Sequence, residues 1–109
     1  MILTEKQLVY VIIEYLRLSG HFVWRNNSGY MFADYTDKSG TTRKRGIKIG
    51  MKGSSDIIGV HKDGRFIAIE CKIGKNKTTP AQDYFLEEIK RHGGIALIAY
   101  DLDDVEREL

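Results

Sequence analysis

Asp56-Ile57-Ile58-Gly59-Val60-His61-Lys62-Asp63-Gly64-Arg65-Phe66-Ile67-Ala68-Ile69-Glu70-Cys71-Lys72 holds two apolar runs of strand length joined by a polar link. The pattern predicts a β-hairpin. A three-residue connection, Lys62-Asp63-Gly64, makes a type I turn followed by glycine in the left-handed conformation. His61 then pairs with Arg65. Asp56 falls opposite Glu70 with both side chains on one face, and Lys72 joins that face two residues on. A two-residue Asp63-Gly64 turn would slip the register by one and send the two carboxylates to opposite faces. The residues admit both turns, and the first is the preferred reading.

Two carboxylates directly across a ladder lie about 5 Å apart and repel. They also end strands that are otherwise apolar, so something must compensate. A divalent cation with oxygen ligands would do so, with help from Lys72. Mg²⁺ typically takes one or two carboxylates and completes its shell with water and substrate phosphate. A plain surface ion pair at the end of a hairpin is the competing reading.

The rest of the chain surrounds the hairpin with helices. Residues 4 to 18 predict an amphipathic helix through Leu8, Val11, Ile12, Tyr15 and Leu18. Thr4 and Gln7 have the spacing of a capping box, and Gly20 suits its end. His21 to Arg25 reads as a short strand. Asn26 to Gly53 contains possible strands at Tyr30 to Tyr35 and Ile47 to Met51. For Tyr30, Phe32 and Tyr35, core packing is the expected role. Thr79, Pro80 and Gln82 open a second helix with another capping box, and Phe85, Leu86 and Ile89 form its apolar face. Gly93-Gly94 stops it, Ile95 to Tyr100 is a buried strand, and the acidic tail forms a short helix. The expected fold is α/β, with an αβββαβ order, a mixed sheet flanked by helices, and a single domain over residues 1–109.

Composition bounds the function. The chain has 109 residues, 42% hydrophobic and 29% charged, enough for one core and too apolar for disorder. No apolar run approaches the ~20 residues of a membrane span, and no signal peptide is expected. One cysteine excludes an internal disulfide framework and a Cys-rich zinc site. A reducing, cytoplasmic setting is expected, in a bacterium or a phage-infected cell. The net charge of +2 hides an asymmetry. The last nine residues carry five acids and one base, while residues 38 to 53 carry six bases and no acid. That block suggests a polyanionic partner, with a solvated basic loop as the plainer alternative.

Gly53-Ser54-Ser55-Asp56-Ile57-Ile58-Gly59-Val60 followed by Phe66-Ile67-Ala68-Ile69-Glu70-Cys71-Lys72 resembles the PD-(D/E)XK nuclease core. More closely, the chain resembles a stand-alone VRR-NUC domain. The likeness extends to Glu5 and its helix, Trp24-Arg25-Asn26-Asn27-Ser28-Gly29, Thr79-Pro80-Ala81-Gln82 and Gly93-Gly94, and covers about Thr4 to Asp104. The proline usual before the aspartate is Ser55 here, and the variable position of ExK is Cys71. Neither change removes a ligand.

The resemblance implies a metal-dependent endonuclease using Mg²⁺ or Mn²⁺. Asp56 and Glu70 would be ligands, with the backbone carbonyl of Cys71 as a further one; the Cys71 side chain is expected in the core. Lys72 would orient the attacking water or stabilise charge on the phosphate. Glu5 lies at the centre of the helical stripe formed by Leu8, Val9, Ile12 and Leu16, an unusual place for an acid. The family sets a metal-site glutamate there; an acid favoured by the helix dipole is the alternative. Gln82 is a capping-box residue and, by resemblance, an active-site candidate. Arg43, Lys44, Arg45, Lys48, Lys52, Lys75 and Lys77 are candidate phosphate contacts. His21, His61 and His92 receive no catalytic role, and His61 is expected to be exposed. Similar stand-alone nucleases act as homodimers on branched DNA, including four-way junctions. The alternatives are a nucleic-acid-binding module that does not cut, and a nuclease for nicked, flapped or linear DNA within a larger phage or bacterial complex.

Overall fold

The computed structural model describes residues 2–27 and 29–109, with residues 29–31 and 47–49 described in their backbone alone. Ser28 lies outside the described residues. Three helices pack on a mixed sheet. Helix α1 (Glu5–Leu18) leads into strand β1 (Phe22–Arg25). Strands β2 (Gly29–Thr36) and β3 (Thr42–Ile49) follow, then β4 (Ile57–Val60) and β5 (Phe66–Cys71). Helix α2 (Pro80–Arg91), strand β6 (Ile95–Ala99) and helix α3 (Leu102–Glu108) complete the chain. Among the described residues, no helix is long and apolar enough to cross a membrane.

The main sheet has the order β1-β4-β5-β6; the β5–β6 pair is parallel and the others antiparallel. Side-chain alternation divides its core in two. Ile67, Ile69 and Cys71 of β5 face α1, where they meet Leu8, Ile12 and Leu16, with Val23, Ile57 and Ala99 alongside. Ala68 faces the other way, toward Leu86 of α2 and Ala96 of β6. Glu70 shares that second face by period two.

Both capping boxes form. Thr4 Oγ1 accepts from Gln7 N–H at 3.1 Å and Gln7 Oε1 accepts from Thr4 N–H at 2.9 Å. The expected α1 stripe shifts by part of a turn. The buried set is Leu8, Val9, Ile12, Ile13 and Leu16, while Leu18 is 82% exposed. The helix rolls so that the strip from Leu8 to Leu16 meets the core, and Leu18, its last residue, is left in solvent.

Residues 26 to 53 depart most from expectation. The second strand starts at Thr42 rather than Ile47, so Arg43, Lys44 and Arg45 sit on a strand and not in a loop. Among the described residues, β2 and β3 pair only with each other, as a separate two-stranded ribbon. Among the described residues, the ribbon makes no substantial contact with the helices or the main sheet. The molecule is accordingly elongated, with extents of 58 × 34 × 27 Å and a radius of gyration of 17.0 Å, against ~13 Å for a compact chain of this length. With no layer beneath it, the ribbon leaves Phe32 69% and Tyr35 44% exposed, which corrects their expected place in the core. The side chain of Tyr30 lies outside the described part.

Candidate functional site

The hairpin register places the two acids. β4 and β5 pair Ile57 with Ile69 and Val60 with Phe66, and His61 N–H donates to the Arg65 carbonyl at 2.7 Å. Gly64 takes a φ of 98°, the left-handed position that the three-residue turn requires. Extending that register sets Asp56, just before β4, across from Glu70. The Asp56 carboxylate also accepts from Cys71 N–H at 2.9 Å, which ties it to the end of β5.

Glu70 is 2% exposed. Its Oε1 accepts from Gln82 Nε2 at 3.1 Å, whereas its Oε2 is buried with no hydrogen-bond partner among the described residues. Burial, then the Asp56 carboxylate beside it and a proton that the two carboxyls can share in a hydrogen bond, push the Glu70 carboxyl up to about 8; Lys72 opposes the shift and Glu5 adds to it. An orphaned buried carboxylate oxygen has two remedies, a proton shared with the neighbouring acid or a cation. Oxygen donors of this kind suit Mg²⁺ or Mn²⁺ better than zinc. Among the described residues, no three His, Cys, Asp or Glu side chains gather into a fuller metal cluster. The side-chain donor set is the Asp56–Glu70 pair.

Gln82 combines two roles that the sequence left as alternatives. Its N–H donates to Thr79 Oγ1 at 3.2 Å and its Oε1 accepts from Thr79 N–H at 2.9 Å. The same capping box aims its Nε2 at Glu70. Thr79→Ala is expected to cost about 1 kcal/mol in a urea melt through the lost cap. Gln82→Ala is expected to cost roughly 2 kcal/mol, because it removes one leg of the box and also the donor to a buried carboxylate.

The other expected site residues divide. Glu5, half-buried in the first turn of α1, sits on the opposite side of the sheet from Gln82, yet its charge reaches both Glu70 and Cys71. Lys72 is half-buried, and its N–H donates to the Ala99 carbonyl at 3.0 Å. The Cys71 side chain is buried in the α1 core as expected, and burial pushes its thiol well up, with the carboxylates of Asp56 and Glu70 adding to it. Lys52, Lys75 and Lys77 are exposed on loops. Arg43, Lys44 and Arg45 lie on the outer half of the ribbon, so they do not lead directly into the Asp56 strand. Arg43 is six residues from the end of β3, about 20 Å of extended chain. The Lys48 side chain lies outside the described part.

Asn26 belongs to a stretch that carries the family likeness, yet the sequence reading gave it no role of its own. Its Nδ2 donates to Ser54 Oγ at 2.8 Å and to the Ser55 carbonyl at 3.0 Å. Its N–H donates to the Asp56 carbonyl at 2.7 Å. One residue at the end of β1 thus holds the segment that carries Asp56. Its signals in the sequence were its place in that stretch and its position between a strand and a turn.

His61 is less exposed than expected. Its ring lies 4.2 Å from that of His21, and His21 Nδ1 accepts from Lys62 N–H at 3.0 Å. Burial, with His61 and Lys62 nearby, lowers the His21 pKa and keeps that acceptor neutral. Both rings brace the hairpin turn.

No family model matches the chain, and no curated protein matches it.

Proposed function

We propose that this protein is a metal-dependent endonuclease that hydrolyses phosphodiester bonds in DNA. The observation that carries the reading is the orphaned Oε2 of buried Glu70, across the hairpin from Asp56 and beside Lys72. Burying an unpaired carboxylate is costly unless the site is completed by a ligand. The PD-(D/E)XK pattern, with the VRR-NUC likeness around it, supplies the chemistry that such a set would serve.

Asp56 and Glu70 would hold Mg²⁺ or Mn²⁺, with the Cys71 carbonyl beside them and Glu5 as an outlying acid. When bound, the ion would supply a Lewis acid for the phosphate and a water of lowered pKa. Gln82 orients Glu70 by donating to Oε1, which leaves Oε2 free. Asn26 keeps Asp56 at its post. Lys72, two residues after Glu70 and close enough to act on its charge, would offset charge on a phosphate. Water displaces one oxygen of the phosphodiester, leaving 5′-phosphate and 3′-hydroxyl ends on the family pattern. Branched DNA, including four-way junctions, is the proposed substrate, cut by a homodimer whose two-fold axis would supply two active sites.

The test is a panel of labelled four-way junction, flap, linear duplex and single strand, incubated with Mg²⁺, Mn²⁺ or EDTA beside Asp56→Ala. Metal-dependent cutting that the variant loses is the expected result, strongest on the junction. Binding without cutting under any metal would overturn the hydrolytic reading and leave a DNA-binding module.

A further inference from the structure

We infer that the β2–β3 ribbon is an arm that enters the major groove of double-helical DNA, with its two faces turned to the two groove walls. The inference rests on the reading of this chain as a DNA-acting protein, and adds where and in what form the nucleic acid is held.

Three observations carry it. First, among the described residues the ribbon stands clear of the core, and Phe32, Tyr35 and residues 42–46 are exposed on both of its faces. Second, its cations are distributed over both faces. The register pairs Tyr35 with Arg43, Ala33 with Arg45, and Asp34 with Lys44. By alternation, Arg43 and Arg45 project from one face and Lys44 from the other. All three are exposed. Arg43 also bonds Asp37 at the turn, at 2.7 Å, while Lys44 and Arg45 make no ion pair among the described residues. A ribbon lying on a single strand would need its charge on one face only. A ribbon inside a groove meets phosphates on both sides. Third, the exposed aromatics lie on opposite faces too, Phe32 with Lys44 and Tyr35 with Arg43. They have no core to enter, and both sit on β2, so a ribbon standing edge-on with β2 innermost would bring them to base edges and thymine methyl groups at the groove floor while the β3 cations face the phosphates of the walls.

The dimensions agree. The major groove is about 12 Å wide and admits a two-stranded β-ribbon. Eight residues per strand extend about 24 Å, so the arm can follow the groove away from the carboxylates. Asp34 and Asp37 partly offset the arm's charge, which favours positioning over indiscriminate adhesion.

The test measures binding by fluorescence anisotropy, in EDTA and with Glu70→Gln protein so that no cutting intervenes. The probes are a linear duplex, the same duplex methylated at guanine N7, and its single strand, between 50 and 200 mM salt. The unmethylated duplex is expected to bind at least about tenfold tighter than the single strand. N7 methylation, which blocks the major groove, is expected to weaken binding about fivefold or more. Lys44→Ala and Arg45→Ala are each expected to lower the salt slope by about 1. Each would thereby flatten the fall in affinity over this range by about three- to fourfold. Equal affinity for the methylated duplex, an unchanged slope in either variant, or preference for the single strand would overturn the arm. If these results hold but no metal supports cutting, the nuclease reading fails and the arm stands. If the protein cuts while both variants keep the normal slope, the arm fails and the nuclease reading stands.

Discussion

Glu70→Gln is expected to abolish metal-dependent cutting, by more than about a thousandfold, while making the metal-free protein more stable at alkaline pH. The swap conserves shape. The new amide can still accept from Gln82, and its NH₂ can donate toward Asp56 from the position where Oε2 has no partner. The charge on which metal binding depends is lost. The stability effect follows from the raised Glu70 carboxyl, at about 8 in the fold against 4.5 for an ordinary glutamate. The native state holds that proton more tightly than the unfolded chain does. Its contribution is therefore fully present below about pH 4.5 and lost as pH rises through about 8. At pH 9 in EDTA the wild-type protein carries a buried, repelled carboxylate that the variant lacks. The variant is expected to be more stable there by about 3 kcal/mol, which corresponds to a rise in Tm on the order of 10 °C. At pH 5 the gap should close. Mg²⁺ should reverse the ranking at pH 9, because binding to the ionised pair stabilises only the wild type. A thermal melt series over pH, with and without Mg²⁺, checks all three results. A variant that melts with the wild type at every pH would show that Glu70 is not strained, and with that the case for a completing cation would go.

Gly59→Ala is expected to be the most damaging single-methyl change in the main sheet. A Cβ at Gly59 would lie 2.1 Å from the Phe22 carbonyl oxygen and 2.6 Å from the Val23 Cα, both backbone atoms of β1. Side chains can rotate away from a new methyl group, but a paired strand must move bodily. β1 has only four residues, all paired to β4, so moving it breaks most of its ladder. A loss of about 3 kcal/mol or more is expected, at the upper end of overpacking costs. Gly64→Ala provides the contrast. Its Cβ would meet nothing within 4 Å, and only the φ of 98° is strained, for about 1 kcal/mol. Urea midpoints at constant m-value separate the two. Gly59→Ala should also weaken cutting beyond its effect on folding, because β1 ends at Arg25 and Asn26 follows it with the bonds that hold Ser54, Ser55 and Asp56. Equal costs for the two alanine variants would mean that β1 yields freely to β4.

Much of the site could be read from the residues because its geometry is local. The distance from Asp56 to Glu70 along the chain is bridged by one tight turn. A glycine in the right place narrows the register to two turns, and period-two alternation then ties each turn to one face. The two capping boxes are likewise written in four-residue spacings. The α1 stripe was read nearly correctly, with an error of part of a turn, because helical period defines a face only to within the breadth of the surface that it meets.

The contacts that give the site its character are of another kind. Gln82 reaches Glu70 across 12 residues, and Asn26 reaches Ser54 across 28. No local spacing encodes either. The ribbon is the clearest case. Alternating Tyr30 and Phe32 look like core residues, since pattern alone says that a strand has an apolar face without saying whether anything lies opposite it. By itself the sequence determined the helices, their caps and the β4–β5 hairpin, and it narrowed the hairpin register to two turns, of which the structure adopts the one that sets Asp56 across from Glu70. Those rest on backbone periods and turn stereochemistry within a few residues. Tertiary structure alone decided which strands joined the main sheet, how deeply Glu70 was buried and which oxygen it left unpaired. Those depend on what packs against each surface, which only the folded chain brings together.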